Sequence, residues 1–404
     1  MKHTLFFIFI ALFWLISCSE RERNNPLDPQ NPKTKGRITA LSIYSQERNI
    51  YLSWPQFKMT DIDSIRIYRL LPTGSFQIYQ SLPPDASSYL DQNVQYGQSY
   101  TYYVTVIAGG YESPPSDSVT ITPGPTYLWI GDLSSGYFAR LSHDLKTTLF
   151  QFGILRFPKF IAVVPRERSA WCYSLFSDVL YKLDERGKAQ VKLNQLGRIT
   201  DMAADTTYRE LWVAQKDSGR VVRLNRNGNV AGISMSLQSP ARIIVDSEHH
   251  VAWVINQANN EVVRMNRAGM ILVKNQVVLS HPMHIALGRS GTVWVSDKDK
   301  VLQLDQLGEP TGIIYTDFAE AKLIDYDGTR EFLWIVDKHA SGASLIKINS
   351  QGERLFELGI FWDPVSMDIN EFDGSCMVAD PVRGVIYKIG ENGSVAFKVT
   401  RYYS

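Results

Sequence analysis

Over residues 126–404 the chain carries short apolar runs separated by polar and glycine-containing turns. Within a run, apolar and polar side chains alternate, which is the period of a β-strand with two different faces. Four kinds of run recur in a fixed order. The first follows a proline, as in Pro240-Ala241-Arg242-Ile243-Ile244-Val245-Asp246. The second holds a tryptophan, as in Leu211-Trp212-Val213. The third is Val221-Val222-Arg223-Leu224, and the fourth follows Asn225-Arg226-Asn227-Gly228. The tryptophan slot is filled by Trp129, Trp171, Trp212, Trp253, Trp294 and Trp334, then by Met377, at spacings of 42, 41, 41, 41, 40 and 43 residues. The Asn/Asp-x-x-Gly pattern returns at 184–187, 225–228, 266–269, 305–308 and 349–352, and a turn needing positive φ explains its glycine.

A period near forty with four short strands per unit predicts an all-β ring of small sheets, a β-propeller of seven blades with six as the alternative. The proline-type strand occurs only six times, around Ile161, Met202, Ile243, Ile285, Ile324 and Met367, so the first blade is expected to lack its inner strand. The Pro-x-x-Ile, Leu-Trp-Val and hydrophobic-x-Arg-Leu runs resemble NHL-repeat propellers over 126–404. The same rhythm resembles enzymes of the streptogramin-lyase type. That resemblance implies histidines directly after the proline in two neighbouring blades, and a divalent metal. Here His281-Pro282-Met283-His284 brings one histidine near, one residue late, and the slot elsewhere holds Lys159, Thr200, Ala241, Lys322 and Val365. A catalytic pair is therefore missing. No cofactor and no metal site are expected, because no adequate ligand set is spaced for one, and His249 and His250 fall in a turn at the far end of a blade.

Residues 37–123 hold alternating runs at spacings that suit a β-sandwich. Ile50-Tyr51-Leu52-Ser53-Trp54, Ile65-Arg66-Ile67-Tyr68 and Tyr100-Thr101-Tyr102-Tyr103-Val104 resemble strands of a fibronectin type III domain, with Trp54 and Tyr100 in its core. Residues 1–17, apolar from Leu5 to Ile16 behind Lys2, read as a signal peptide. Leu15-Ile16-Ser17-Cys18 resembles a bacterial lipobox, which implies acylation of Cys18 and a membrane-lipid partner. Ser19 after it implies sorting to the outer membrane. Residues 18–36 carry almost nothing to bury and read as a tether.

Composition narrows the function. The 42 basic and 41 acidic residues nearly cancel, so nucleic acid is not an expected partner. Cys172 and Cys376 fall in non-adjacent blades and are expected as buried free thiols. A recurring third-strand cation (Arg140, Lys182, Arg223, Arg264, Lys347, Lys388, with Gln303 in the series) is expected to lay its stem on the tryptophan and release its charge to solvent. Asp132, Asn256, Asp297, Asp337 and Asp380 are expected to cap the turns that follow them.

Two features converge where the inner strands begin. Asp201, Arg242 and His284 occupy the same slot in three consecutive blades, with Phe160 in that slot one blade earlier. An acid, a guanidinium and an imidazole together suit a polar ligand, or alternatively proton transfer. Crossing loops add Phe150, Phe152, Phe157, Tyr315, Phe318, Phe361 and Trp362 as a candidate aromatic rim for a peptide or glycan. The expected function is a lipid-anchored envelope protein whose propeller is a non-catalytic binding or scaffolding module for a protein, peptide or glycan. A lyase or hydrolase acting through His284, Arg242 and Asp201 is the alternative.

Overall fold

The computed structural model describes residues 28, 30, 36–46, 48–56, 62–125, 127–133, 135–153 and 157–400. The expected signal peptide, Cys18 and nearly all of the tether lie outside the described residues. The chain divides into two compact units, Met1–Pro125 and Thr126–Ser404.

In the first unit, strands Ser42–Gln46, Asn49–Ser53 and Ser88–Asp91 form one antiparallel sheet. Ser64–Leu70, Phe76–Leu82, Tyr100–Ala108, Tyr111–Glu112 and Val119–Ile121 form the other. Alternation puts Ile50 and Leu52 of one sheet against Ile65, Ile67, Tyr102 and Val104 of the other, all buried, with Trp54 and Tyr100 in the same core. Asp91 is fully buried, and Tyr102, Tyr79 and Arg69 from the opposite sheet all donate to it. A buried carboxylate is tolerated only when so satisfied, and here it ties the two sheets together. The Tyr100 hydroxyl accepts from the Gln95 amide at 2.7 Å, a corner that recurs in such sandwiches.

The second unit consists of seven successive antiparallel sheets. The first has three strands, Leu128–Asp132, Tyr137–Leu141 and Thr148–Phe152. The others, at 158–194, 199–233, 240–274, 282–315, 321–361 and 366–399, have four each, paired in chain order. From the second to the seventh sheet, each proline-slot strand packs on the next one around the axis. The tryptophans fill the seams between sheets, and Trp171, Trp212, Trp253 and Trp334 are fully buried. The ring closes through side chains of the seventh sheet. Ile386 packs on Ile130, Tyr137 and Ala139, and Phe397 and Val399 join Leu141, Leu145 and Met377. Cys172 and Cys376 are buried free thiols.

The Asn/Asp-x-x-Gly turns behave as the pattern implies. At Gly269 φ is +80°, and a Cβ there would lie 2.5 Å from the Ile233 carbonyl oxygen. Both the backbone angle and the neighbouring sheet therefore exclude a side chain.

Two expectations are corrected. The third-strand cations do not release their charge to solvent: Arg140, Lys182 and Lys347 are almost wholly buried. Each crosses an aromatic ring and donates to a carbonyl in the turn of the next sheet. Arg140 reaches Glu185 O, Lys182 reaches Arg226 O, Arg264 reaches Gln306 O and Lys347 reaches Glu391 O. The carbonyl draws the charge inward because it supplies the partner that burial requires. Likewise Asn256, Asp297 and Asp337 do not cap the turn after them. They accept from the amides of Ser239, Ser280 and Glu320, on the loops entering their own sheets. Asp380 holds both the incoming Trp362 amide and the following Arg383 amide, and Asp132 accepts from Ser135 N in the turn that follows it, as expected.

Candidate functional site

The inner strands begin with a local irregularity. In the second to sixth sheets the register with the tryptophan strand slips between the proline slot and the residue two further on, as between Pro240 and Arg242. An extra residue of this kind bends a strand and re-aims the side chain beyond it. Phe160, Asp201, Arg242, His284 and Leu323 all sit just past the slip, with Leu323 buried in the core between the sixth and seventh sheets and Asp201 reaching the next inner strand.

Asp201 is committed to the backbone. Its Oδ1 accepts from Met202 N and its Oδ2 from Ile243 N, both at 3.0 Å, the latter on the next inner strand. Burial raises its pKa, and Arg242 and these amides work against that rise. No contact ion pair links Asp201 to Arg242; among the described residues Arg242 makes no salt bridge. Lys159 and Arg198 stand close enough to act on the same field. Burial lowers the Lys159 pKa, and Arg198 and Arg242 lower it further. Three cations thus face one acid whose oxygens are already occupied.

His284 is held by its amide, which donates to Ser296 Oγ at 3.0 Å. Burial, then the Arg242 charge, push its pKa down to about 3, so the ring is neutral at physiological pH. Its Nδ1 is buried without a hydrogen-bond partner. Asp201, Arg242 and His284 therefore occupy consecutive inner strands, with the acid bonded to backbone and the imidazole uncharged.

The aromatic residues divide. Phe361 and Phe318 are buried, Phe361 against Tyr387, and neither presents a face to a ligand. Tyr315 stacks on Trp294, while Phe150 packs on Trp129 and Phe152 on Tyr181. Trp362 is 47% exposed, and Phe157 pairs with the exposed Phe176. Phe160 stacks on Tyr173 beneath the Lys159 ammonium. The rim is thus reduced to Trp362 and the Phe157–Phe176 pair, because the loops are short and need apolar filling of their own. His249 donates from the far-end turn to Asp246 and has no relation to the mouth.

The sequence reading missed a second cluster. Two residues beyond the mouth slot, opposite the tryptophan position, the sixth and seventh sheets place Asp325 and Asp368. Asp325 accepts from Tyr326 N at 2.9 Å and Ile369 N at 3.2 Å. Burial and the neighbouring Asp368 raise its pKa to about 8, and burial and Glu371 raise Asp368 to about 6. Like charges on adjacent strands suppress each other's ionisation, so Asp325 keeps a proton at neutral pH. The signal was present in the sequence: this slot holds Ala162, Ala203, Ile244 and Ala286 in the other sheets.

No protein-family model and no curated protein matches this sequence. Solved structures do. A streptogramin B lyase aligns with a TM-score of 0.53 at 15% identity, over 63% of this chain and 86% of that one. Virginiamycin B lyase from Staphylococcus aureus gives 0.51 at 15% identity, over 61% and 85%. Hydrazine synthase from Kuenenia stuttgartiensis gives 0.56 at 10% identity, over 67% and 95%. The fold is a β-propeller. At such identities the likeness concerns the fold alone. The divalent metal implied by the lyase resemblance does not fit this donor set: among the described residues no three histidine, cysteine or acidic side chains converge to hold one.

Proposed function

We propose that the propeller is a non-catalytic binding module whose channel mouth takes an anionic group of an envelope protein, peptide or glycan. The observation that carries this reading is Arg242, half-buried and, among the described residues, without a salt bridge, while Asp201 spends both oxygens on backbone amides. Lys159 and Arg198 extend the positive field, and Trp362 and Phe157 offer stacking surface at the rim. In this reading Cys18 anchors the protein to the outer membrane by its acyl chains. The first unit is then a fibronectin type III-like spacer that presents the ring.

The second reading, a lyase or hydrolase at the same mouth, is favoured by the unpartnered Nδ1 of His284, a neutral base next to a guanidinium. Capture from envelope extract separates the two. Under the binding reading, Arg242→Ala with Lys159→Ala loses the partner more than tenfold, and His284→Ala retains it. If retention ignores the two cations, the binding reading fails. If His284→Ala instead abolishes turnover of the captured molecule, the mouth is an active site.

A further inference from the structure

Among the described residues the first sheet has three strands and no proline-slot strand, and this leaves more than an irregularity in the ring. Between the second and seventh sheets every seam is closed at the axis by two adjoining inner strands. Between the seventh and the first there is only one, and a cavity of about 380 Å³ lies there. That volume is within the range of small-ligand sites, roughly 300–1,000 Å³. It opens at the end of the ring opposite the mouth, since its wall includes the turn after Ser366–Asn370 and the turn after Tyr137–Leu141.

The lining is divided by chemistry. Tyr127, Leu128, Leu145 and Met377 form an apolar side, and Asp368 and Glu371 face it. The lining contains no lysine or arginine, and burial lowers the pKa of His143, its one imidazole, so that wall supplies no cation. Neighbouring cations are spent elsewhere. Arg330 donates to Asp327 and to the carbonyls of Glu371 and Phe372, and Lys388 holds Asp373. Among the described residues neither the Asp368 nor the Glu371 carboxylate forms an ion pair, with Asp325 behind them on the next strand. Asp246, Asp297 and Asp327, at the ends of their strands, are bonded to amides of nearby turns or loops, and Asp368 likewise takes a backbone hydrogen bond from Ile369. The Asp368 and Glu371 carboxylates are both solvent-exposed, and with no lysine or arginine in the lining they leave an open negative charge beside an apolar wall, an arrangement that suits a cation carrying a carbon chain.

We propose that this cavity binds a ligand bearing a positively charged nitrogen, an alkylammonium or guanidinium group, in the place of the absent inner strand. The carboxylates of Asp368 and Glu371 take the charge, and the Leu128, Leu145 and Met377 side chains take the attached carbon chain. The site is at the opposite end of the axis from Arg242, so it stands or falls separately from the mouth.

Calorimetric titration of the whole chain tests this. The probes are n-butylammonium and an end-capped Gly-Lys-Gly peptide, with n-butanol and the N-acetyl-lysine peptide as uncharged counterparts. The expected result is binding of a charged probe and not of its uncharged counterpart, weakened roughly tenfold or more by Asp368→Asn and by Glu371→Gln. Preference for butylammonium points to a small molecule, and preference for the peptide to a lysine side chain. Glu371, exposed and off the inner strand, keeps the test open if Asp368→Asn fails to fold. Equal binding of charged and uncharged probes, no binding by either cation, or affinities indifferent to both substitutions overturns the proposal.

Discussion

Asp201 and Arg242 stand on neighbouring inner strands, yet their charges do not cancel by contact. A carboxylate with two backbone donors is already satisfied, so the guanidinium remains available. Asp325 uses the same bridging device three inner strands later, but beside another acid. The consequence for stability has a definite sign. The Asp325 pKa is raised in the fold, to about 8 from 3.8, so the native state holds a proton the unfolded chain releases. Stability therefore falls as pH rises from about 4 to about 8. Thermal unfolding should show Asp325→Asn flattening that decline, with the variant gaining most relative to wild type near pH 8; a parallel pH dependence in both proteins contradicts the assignment. The candidate slot was legible because a strict repeat puts Asp201, Arg242 and His284 in register. Their partners were not, because a backbone amide 42 residues away leaves no trace in the sequence. Asp325 and Asp368 were overlooked in a slot that is small or apolar elsewhere.

At the scale of the strand, one substitution pattern serves two purposes. The third-strand cation covers its own tryptophan and stitches its sheet to the following turn. Lys347 shows both, with its Nζ 5.0 Å from the Trp334 ring and 2.9 Å from Glu391 O. Lys347→Ala should lower the stability of the unit by about 2–4 kcal/mol, since a buried stem and a seam bond are both lost. Lys347→Met keeps the stem and should cost only about 1 kcal/mol. Urea denaturation checks both, and equal costs would show that packing contributes nothing. Periodicity revealed the strands, the glycine turns and a first sheet with three strands among the described residues. It did not reveal where the cation ends, because the accepting carbonyl belongs to any residue type. The aromatic rim was overcounted for a related reason. Phe361 and Tyr315 look like surface aromatics in a loop, but the seams beneath those loops need filling.

The molecule as a whole depends on one seam unlike the others. Six sheets meet their predecessors through an inner strand, and the first meets the seventh through Ile386, Met377, Phe397 and Val399 instead. That seam closes the ring, and through closure it aligns the mouth slot and encloses the far cavity. It is also the place where the repeat is least regular, with methionine in the tryptophan slot. The most direct test is hydrogen exchange on the whole chain carrying Ile386→Asp. A charge at that seam should speed exchange in residues 128–152 of the first sheet as well as in 366–399, while the fourth sheet, 240–274, stays protected. If 128–152 exchanges as in wild type, the first and seventh sheets do not support each other and the closed ring is contradicted.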